Sequence, residues 1–303
     1  MDHTIQFPCG LNSQDVIGMG ITALVARLDA VIKFAPHTEL PFLEREKCIY
    51  QRLGHTHDGV LRYYGSLGDA LILQYACNGS IRQYIARQTK PVPLSLKLRW
   101  VEQITASVDF VHSKNVLHGD ISCNNVLLDE ELNAKLGDFA GSSIDGQDPL
   151  ICYETSHEHP EIAGISATSE LFALGSTFYE IMTGSKPYHQ LSDTQITVAY
   201  RQGSYPSLST LAAFSDIISK CWSQSYTSVH ELLEEVKAEG TGFSSTQQLT
   251  LTGHSYSQVQ TDRNSPRICA PSYHGIPNNL RPHVLTPPCI LGTKSQIGAM
   301  RTS

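Results

Sequence analysis

The sequence predicts an α+β chain that is β-rich at its start and helical thereafter, and three observations carry that prediction. Short β-type runs broken by glycine fill residues 14–75, with a single amphipathic helical stretch among them. From Asn78 onward, apolar residues recur at three- and four-residue spacing. Between the helical stretches lies the run VLHGDISCNNVLLDEELNAKLGDFAG, residues 116–141, which sets two carboxylates and an amide at the ends of apolar segments. Groups of that kind are costly beside a core unless they bind a cation or move a proton, so the chain is read as organised around this run.

Taken in order, Val16-Ile17 reads as a strand and Gly18-Met19-Gly20 as a turn, followed by strands at 23–26 and 30–34 joined at Leu28-Asp29. Residues 40–53 carry Phe42, Leu43, Ile49, Tyr50 and Leu53 on one helical face. Residues 59–65 and 70–75 read as two further strands. Ser80 is an N-cap for a short helix with Ile81, Tyr84 and Ile85, and 94–112 form a long helix through Leu98, Val101, Ile104, Val108 and Val111. Ser228 to Glu231 is a capping box that opens a last helix, expected to close before Gly240. Beyond it Ser, Thr, Gln, Pro, Gly and His dominate without an apolar period. Such a segment cannot bury enough surface to offset its chain entropy, so a disordered tail is expected over 241–303.

Composition narrows the function classes. With 303 residues, 41% hydrophobic and 17% charged, the chain is long enough for one large or two small cores. The net charge of -7 argues against a nucleic-acid or anionic-membrane partner, since a phosphate backbone is bound chiefly by Lys and Arg. The eight cysteines are scattered, with no C-x-x-C pair, which points to reduced thiols in a cytoplasmic or nuclear compartment and away from structural zinc. No apolar run is long enough to span a bilayer, and the first residues lack the pattern of a signal peptide.

Several motifs then fall in one order. They are Gly18-x-Gly20-x-x-Ala23-x-Val25; Val31-Ile32-Lys33; Glu46 on the first helix; His118-Gly119-Asp120 with Asn125; Asp138-Phe139-Ala140; His159-Pro160-Glu161; Glu170 to Gly175; and Cys221-Trp222. Over about residues 14–239 this order resembles the eukaryotic protein kinase superfamily, in a divergent form with HGD where the family has HRD. The resemblance implies a bilobal protein kinase-like fold over 13–240, after an N-terminal extension at 1–12. Its β-rich N-lobe with one helix covers about 13–76, and its larger helical C-lobe about 77–240.

The resemblance also implies ATP and Mg2+ as cofactors and assigns roles. Asp120 would be the catalytic base, with Lys33 and Glu46 as the phosphate-orienting ion pair. Asn125 and Asp138 would hold the metal. Gly18, Gly20, Val25, Lys33, Gln74, Ala76 and Leu127 would contact the nucleotide. His118 is read as a packing residue, and Glu44 is the rival to Glu46 if the helix register differs. Departures from the family occur at Ala23, Val31, Gly119, Ala140 and Glu170, and Glu161 lacks the Arg that usually follows Cys-Trp. Ser122 stands where Ser/Thr kinases have Lys, and Asn124 offers no tyrosine-kinase Arg. The expected activity is γ-phosphoryl transfer to a protein hydroxyl, Ser/Thr on the base rate, by a monomer. The alternatives are a pseudokinase binding module and a small-molecule phosphotransferase of the aminoglycoside or choline kinase type, whose H-G-D-x-x-x-x-N loop is similar.

Overall fold

A computed structural model describes residues 13–19 and 23–251. Gly20, the extension at 1–12 and the stretch 252–303 lie outside the described residues. Strands β1 (Val16–Met19) and β2 (Leu24–Ala26) form an antiparallel pair of their own, with a bulge between Val16 and Gly18. Strand β3 (Ala30–Lys33) begins a separate three-stranded antiparallel sheet, completed by β4 (Tyr63–Leu67) and β5 (Ala70–Gln74) in the order β3-β5-β4. Its register sets Lys33 opposite Leu71 and Ala30 opposite Gln74. The strand expected at 59–65 starts later, because Val60 instead makes a parallel bridge to Leu136 and Leu61 donates its N–H to Leu136 O at 2.9 Å.

Helix α1 (Leu40–Leu53) starts with proline in its first turn, where a missing N–H costs nothing, and buries Leu43, Glu46, Ile49, Tyr50 and Leu53 in one stripe. Helix α2 (Ile81–Arg87) is opened by a capping box between Ser80 and Gln83. Helix α3 (Leu94–Ser113) buries Trp100, Val101, Ile104, Val108 and Val111, and the Trp100 indole donates to Leu132 O at 2.8 Å. Two hairpin-like pairs then follow. Strands β6 (Val116–Leu117) and β9 (Ser143–Ile144) pair with each other, as do β7 (Val126–Leu128) and β8 (Ala134–Leu136).

Helix α4 (Ala167–Thr183) is buried nearly all round, which marks a helix at the centre of a core rather than on its surface. It is crossed by α6 (Ser215–Trp222), and Gly175 permits the approach: a Cβ there would lie 2.6 Å from Cys221 Cβ. Trp222 closes the contact by donating to Ser176 Oγ at 3.1 Å. Helix α5 (Asp193–Arg201) lies between α4 and α6 in sequence, and α7 (Val229–Leu251) packs on α3. Contrary to expectation, α7 does not stop before Gly240. Glycine disfavours a helix by only about 1 kcal/mol relative to alanine and ends one when it takes the left-handed C-cap conformation. Neither Gly240 nor Gly242 takes it. Residues 241–251 of the expected tail are therefore helical. No described helix is long and apolar enough to cross a membrane.

Candidate active site

Between the three-stranded sheet and β7 lies a cavity of about 590 Å3, within the range of small-molecule sites. Val31 and Lys33 line it from β3, Gln74 from the end of β5, Tyr75 and Ala76 from the connection after it, and Leu127 from β7. Asn125 and Asp138 line the far end. Gly18 and Val25 are not brought to this wall. They face each other in the β1–β2 pair, and Val25 is 57% exposed.

Lys33 Nζ sits 2.6 Å from Glu46 Oε2 and 2.7 Å from Asp138 Oδ1. Glu46 rather than Glu44 is the partner, because the Leu43–Ile49–Tyr50 stripe turns position 46 inward, where its carboxylate is wholly buried. Burial drives the Glu46 pKa above the ordinary carboxylate range, against the pull of Lys33. Burial alone would lower the Lys33 pKa, but the attraction of Glu46 and Asp138 leaves it raised. Asp138 is pushed up by burial and pulled further down by Lys33, so it stays ionised. Its backbone is left-handed, with φ +62°, a conformation that turns the carboxylate toward Lys33 at a cost in strain.

The residues of the 118–125 loop are locked one to the next. Asn125 Nδ2 donates to both Asp120 O and Asp120 Oδ2 at 2.7 Å, which commits its NH2 group to the loop. Asp120 Oδ1 is buried and has no hydrogen-bond partner. Burial raises the Asp120 pKa to about 6, against the lowering by His118 and by the Asn125 hydrogen bond. His118 is itself buried. Its Nε2 donates to Gly137 O at 2.9 Å, and its Nδ1 accepts from Asp120 N at 3.2 Å. It anchors the loop, as expected of a packing residue.

The rings of Tyr63, Tyr50, Phe139 and His118 form an unbroken chain of contacts from β4 to the loop, the first pair stacked, the second edge-on and the third tilted, with successive centroids 5.8, 5.3 and 5.0 Å apart. Below it, Glu170 Oε1 accepts from Gly119 N at 2.6 Å, and Oε2 bonds His112 Nε2. The longer side chain of Glu170 therefore still caps the loop. Gly119 stands at φ +80°, with Ile165 Cδ1 2.1 Å from where a Cβ would be, so the site is shaped for glycine.

Sequence reasoning missed a second charged cluster beneath the loop. Arg82 on α2 donates Nε and Nη2 to Glu180 at 2.6 and 2.9 Å, and Nη1 to Glu154 at 2.6 Å. Its N–H bonds Cys123 O, which ties α2 to the loop. One signal was readable: Glu180 is a carboxylate set among Phe178, Ile181 and Met182 in α4. Glu161 is exposed and makes no ion pair among the described residues, in keeping with the missing Arg.

His157 lies in the same cluster, fully buried, and desolvation lowers its pKa to about 4. The ring is thus neutral, and its 3.7 Å approach to Glu180 is not an ion pair at neutral pH. The unfolded chain takes up a proton near pH 6.5 that the folded chain refuses until about pH 4. Stability should therefore fall with pH through that window by roughly 3 kcal/mol. Urea unfolding at pH 7, 5.5 and 4.5 checks this: the drop should be clearly smaller in His157→Gln.

The donor set suits a hard cation. The Asn125 NH2 group is spent on Asp120, which leaves its carbonyl oxygen for the cavity side beside the Asp138 carboxylate, and Mg2+ takes oxygen ligands of that kind.

Residues 31–230 match the sequence profile of the family described as protein tyrosine and serine/threonine kinase. A probable serine/threonine-protein kinase of Dictyostelium discoideum is 35% identical over 40% of this chain and 25% of its own length. The serine/threonine-protein kinase PDK1 of Cryptococcus neoformans is 27% identical over 45% of this chain and 12% of its own. A Drosophila yakuba serine/threonine-protein kinase, PLK4, is 27% identical over 48% of this chain and 20% of its own. The chain spans a quarter or less of the length of these relatives. With a family profile matched over 31–230, Lys33, Glu46, Asn125 and Asp138 lining one cavity and Asp120 bonded to Asn125, the chain belongs to the protein kinase family.

Proposed function

We propose that the chain is an active, ATP-dependent protein kinase that transfers the γ-phosphoryl group to a Ser or Thr hydroxyl of a protein. The observation that carries this reading is the Asp120 carboxylate. Asn125 holds one oxygen, while the other is buried with no partner, ready to accept from a substrate hydroxyl. Phosphoryl transfer asks the protein for positioning and charge neutralisation rather than covalent chemistry. Bound Mg2+ would supply part of that neutralisation, held by Asn125 and Asp138. Lys33, fixed by Glu46, would orient the phosphates from the other side. Gln74, Tyr75 and Ala76 would meet the adenine edge, and Leu127 its face. Ser and Thr are favoured as acceptors because the relatives named above are described as serine/threonine-protein kinases.

The test is transfer of radiolabel from ATP to a general protein acceptor by the full chain, with Asp120→Asn as control. Label at the control's level would reject the reading. A pH profile gives a second check. Asp120 must be ionised to accept a proton, and its pKa is about 6. Turnover should therefore fall as pH drops through about 6, by roughly tenfold for each further unit.

One observation favours a pseudokinase binding module as second reading. Ser122 is wholly buried, and its Oγ accepts from Asn124 N at 3.3 Å, so the loop offers no cation where Ser/Thr kinases have Lys. In that case Mg-ATP would bind, and no label would transfer.

A further inference from the structure

Two arginines of α1 reach across to the segment that follows Asp138. Arg52 donates Nη1 and Nη2 to the two carboxylate oxygens of Asp145, both at 2.8 Å, and Nη1 also reaches Lys114 O at 3.2 Å. Arg45, next to Glu46, donates Nη1 to Ser142 O at 2.9 Å and to Asp148 O at 3.2 Å. Contacts at 45, 46 and 52 on one helix fix both its rotation and its position along its axis. The receiving segment is shaped for this role. Asp145 takes a left-handed φ of +52°, its N–H bonds Asn115 O at 2.9 Å, and Ser143 Oγ donates to Gln147 O at 2.6 Å. The carboxylate is thus presented by a hydrogen-bonded turn beside the β6–β9 pair.

The hydroxyls of that segment are poor sites for an added phosphate. Ser142, Ser143 and Ser156 are buried, and their hydroxyls bond His118 O, Gln147 O and the His157 ring. Gly119 supplies no cation beside them. Of the four Ser and Thr residues between Asp138 and Glu161, only Thr155 is partly exposed.

We propose that Asp145, gripped by Arg52, is a built-in anion that, together with the Arg45 contacts, holds α1 where Glu46 meets Lys33. Alignment of the ion pair is then encoded in the sequence and needs no activation-segment phosphorylation. The functional consequence rests on the kinase reading above; the structural one does not.

The experiment uses the full chain from a kinase-free host, treated exhaustively with phosphatase. Asp145→Asn removes the charge and keeps a residue that tolerates the left-handed conformation, and Arg52→Gln removes the other partner. Amide hydrogen exchange in α1 should rise about three- to fivefold in each variant, as suits a half-exposed pair, and no further in the double variant. Exchange in α4 should not change. Unchanged α1 exchange in both single variants overturns the proposal whether or not the chain transfers phosphate. For the wild type, turnover should survive phosphatase treatment. A drop of about tenfold or more, restored by phosphorylation at Thr155, overturns it too, since an added phosphate would then do the aligning. Failure of label transfer in every sample, with α1 exchange responding as expected, would count against the kinase reading alone.

Discussion

Asp120→Asn is expected to lower the rate of phosphoryl transfer by about 10²–10⁴-fold while leaving nucleotide affinity nearly unchanged. The substitution keeps the size of the side chain and can still accept from Asn125. What it removes is the proton acceptor at Oδ1, the one buried oxygen of the loop left without a partner. Because the cavity proposed for the nucleotide is lined by other residues, binding and transfer should separate cleanly. Single-turnover transfer measured beside Mg-ATP titration checks this. A variant that loses affinity as well as rate would mean that Asp120 holds up the cavity rather than taking the proton.

Lys33→Met is expected to remove transfer altogether and to weaken Mg-ATP. Lys33 is the cation shared by Glu46 and Asp138, so its loss strips positive charge from the phosphate position and leaves the buried Glu46 carboxylate unpaired. In the wild type, Mg-ATP at about 100 times its dissociation constant should stabilise the fold by roughly 2.7 kcal/mol. Thermal unfolding with and without Mg-ATP reads the difference: the shift should be large in the wild type and nearly absent in the variant. Equal shifts in both would show that the nucleotide binds without Lys33 and would sink the proposed geometry.

The residues that could be found in advance are those whose chemistry restricts their type. Lys33, Asp120, Asn125 and Asp138 stand at set offsets from apolar runs, whereas the choice of Glu46 over Glu44 needed the helix register that the structure supplies. The Ser80 N-cap was likewise local and readable. Arg82 and Arg52 were not, since their partners Glu180, Glu154 and Asp145 lie far along the chain and nothing near either arginine marks it. The end of α7 was misread because glycine was taken as a stop where its backbone stays helical. The expected nucleotide contacts at Gly18 and Val25 depended on where the β1–β2 hairpin sits, a tertiary matter that a Gly-x-Gly spacing does not contain.

The chain of ring contacts from Tyr63 to His118 bears on the order in which the molecule assembles. Its members come from β4, α1, the segment after β8 and the 118–125 loop, so none of its contacts can form by local folding alone. Closing such loops costs chain entropy before any contact repays it, which makes a structure of this kind late to form and early to open. Opening there need not unfold the helical core around α4, whose packing against α6 is independent of these ring contacts. On warming, the molecule should therefore lose its catalytic alignment while most of its helices are still intact, and heat inactivation should precede the loss of helical signal.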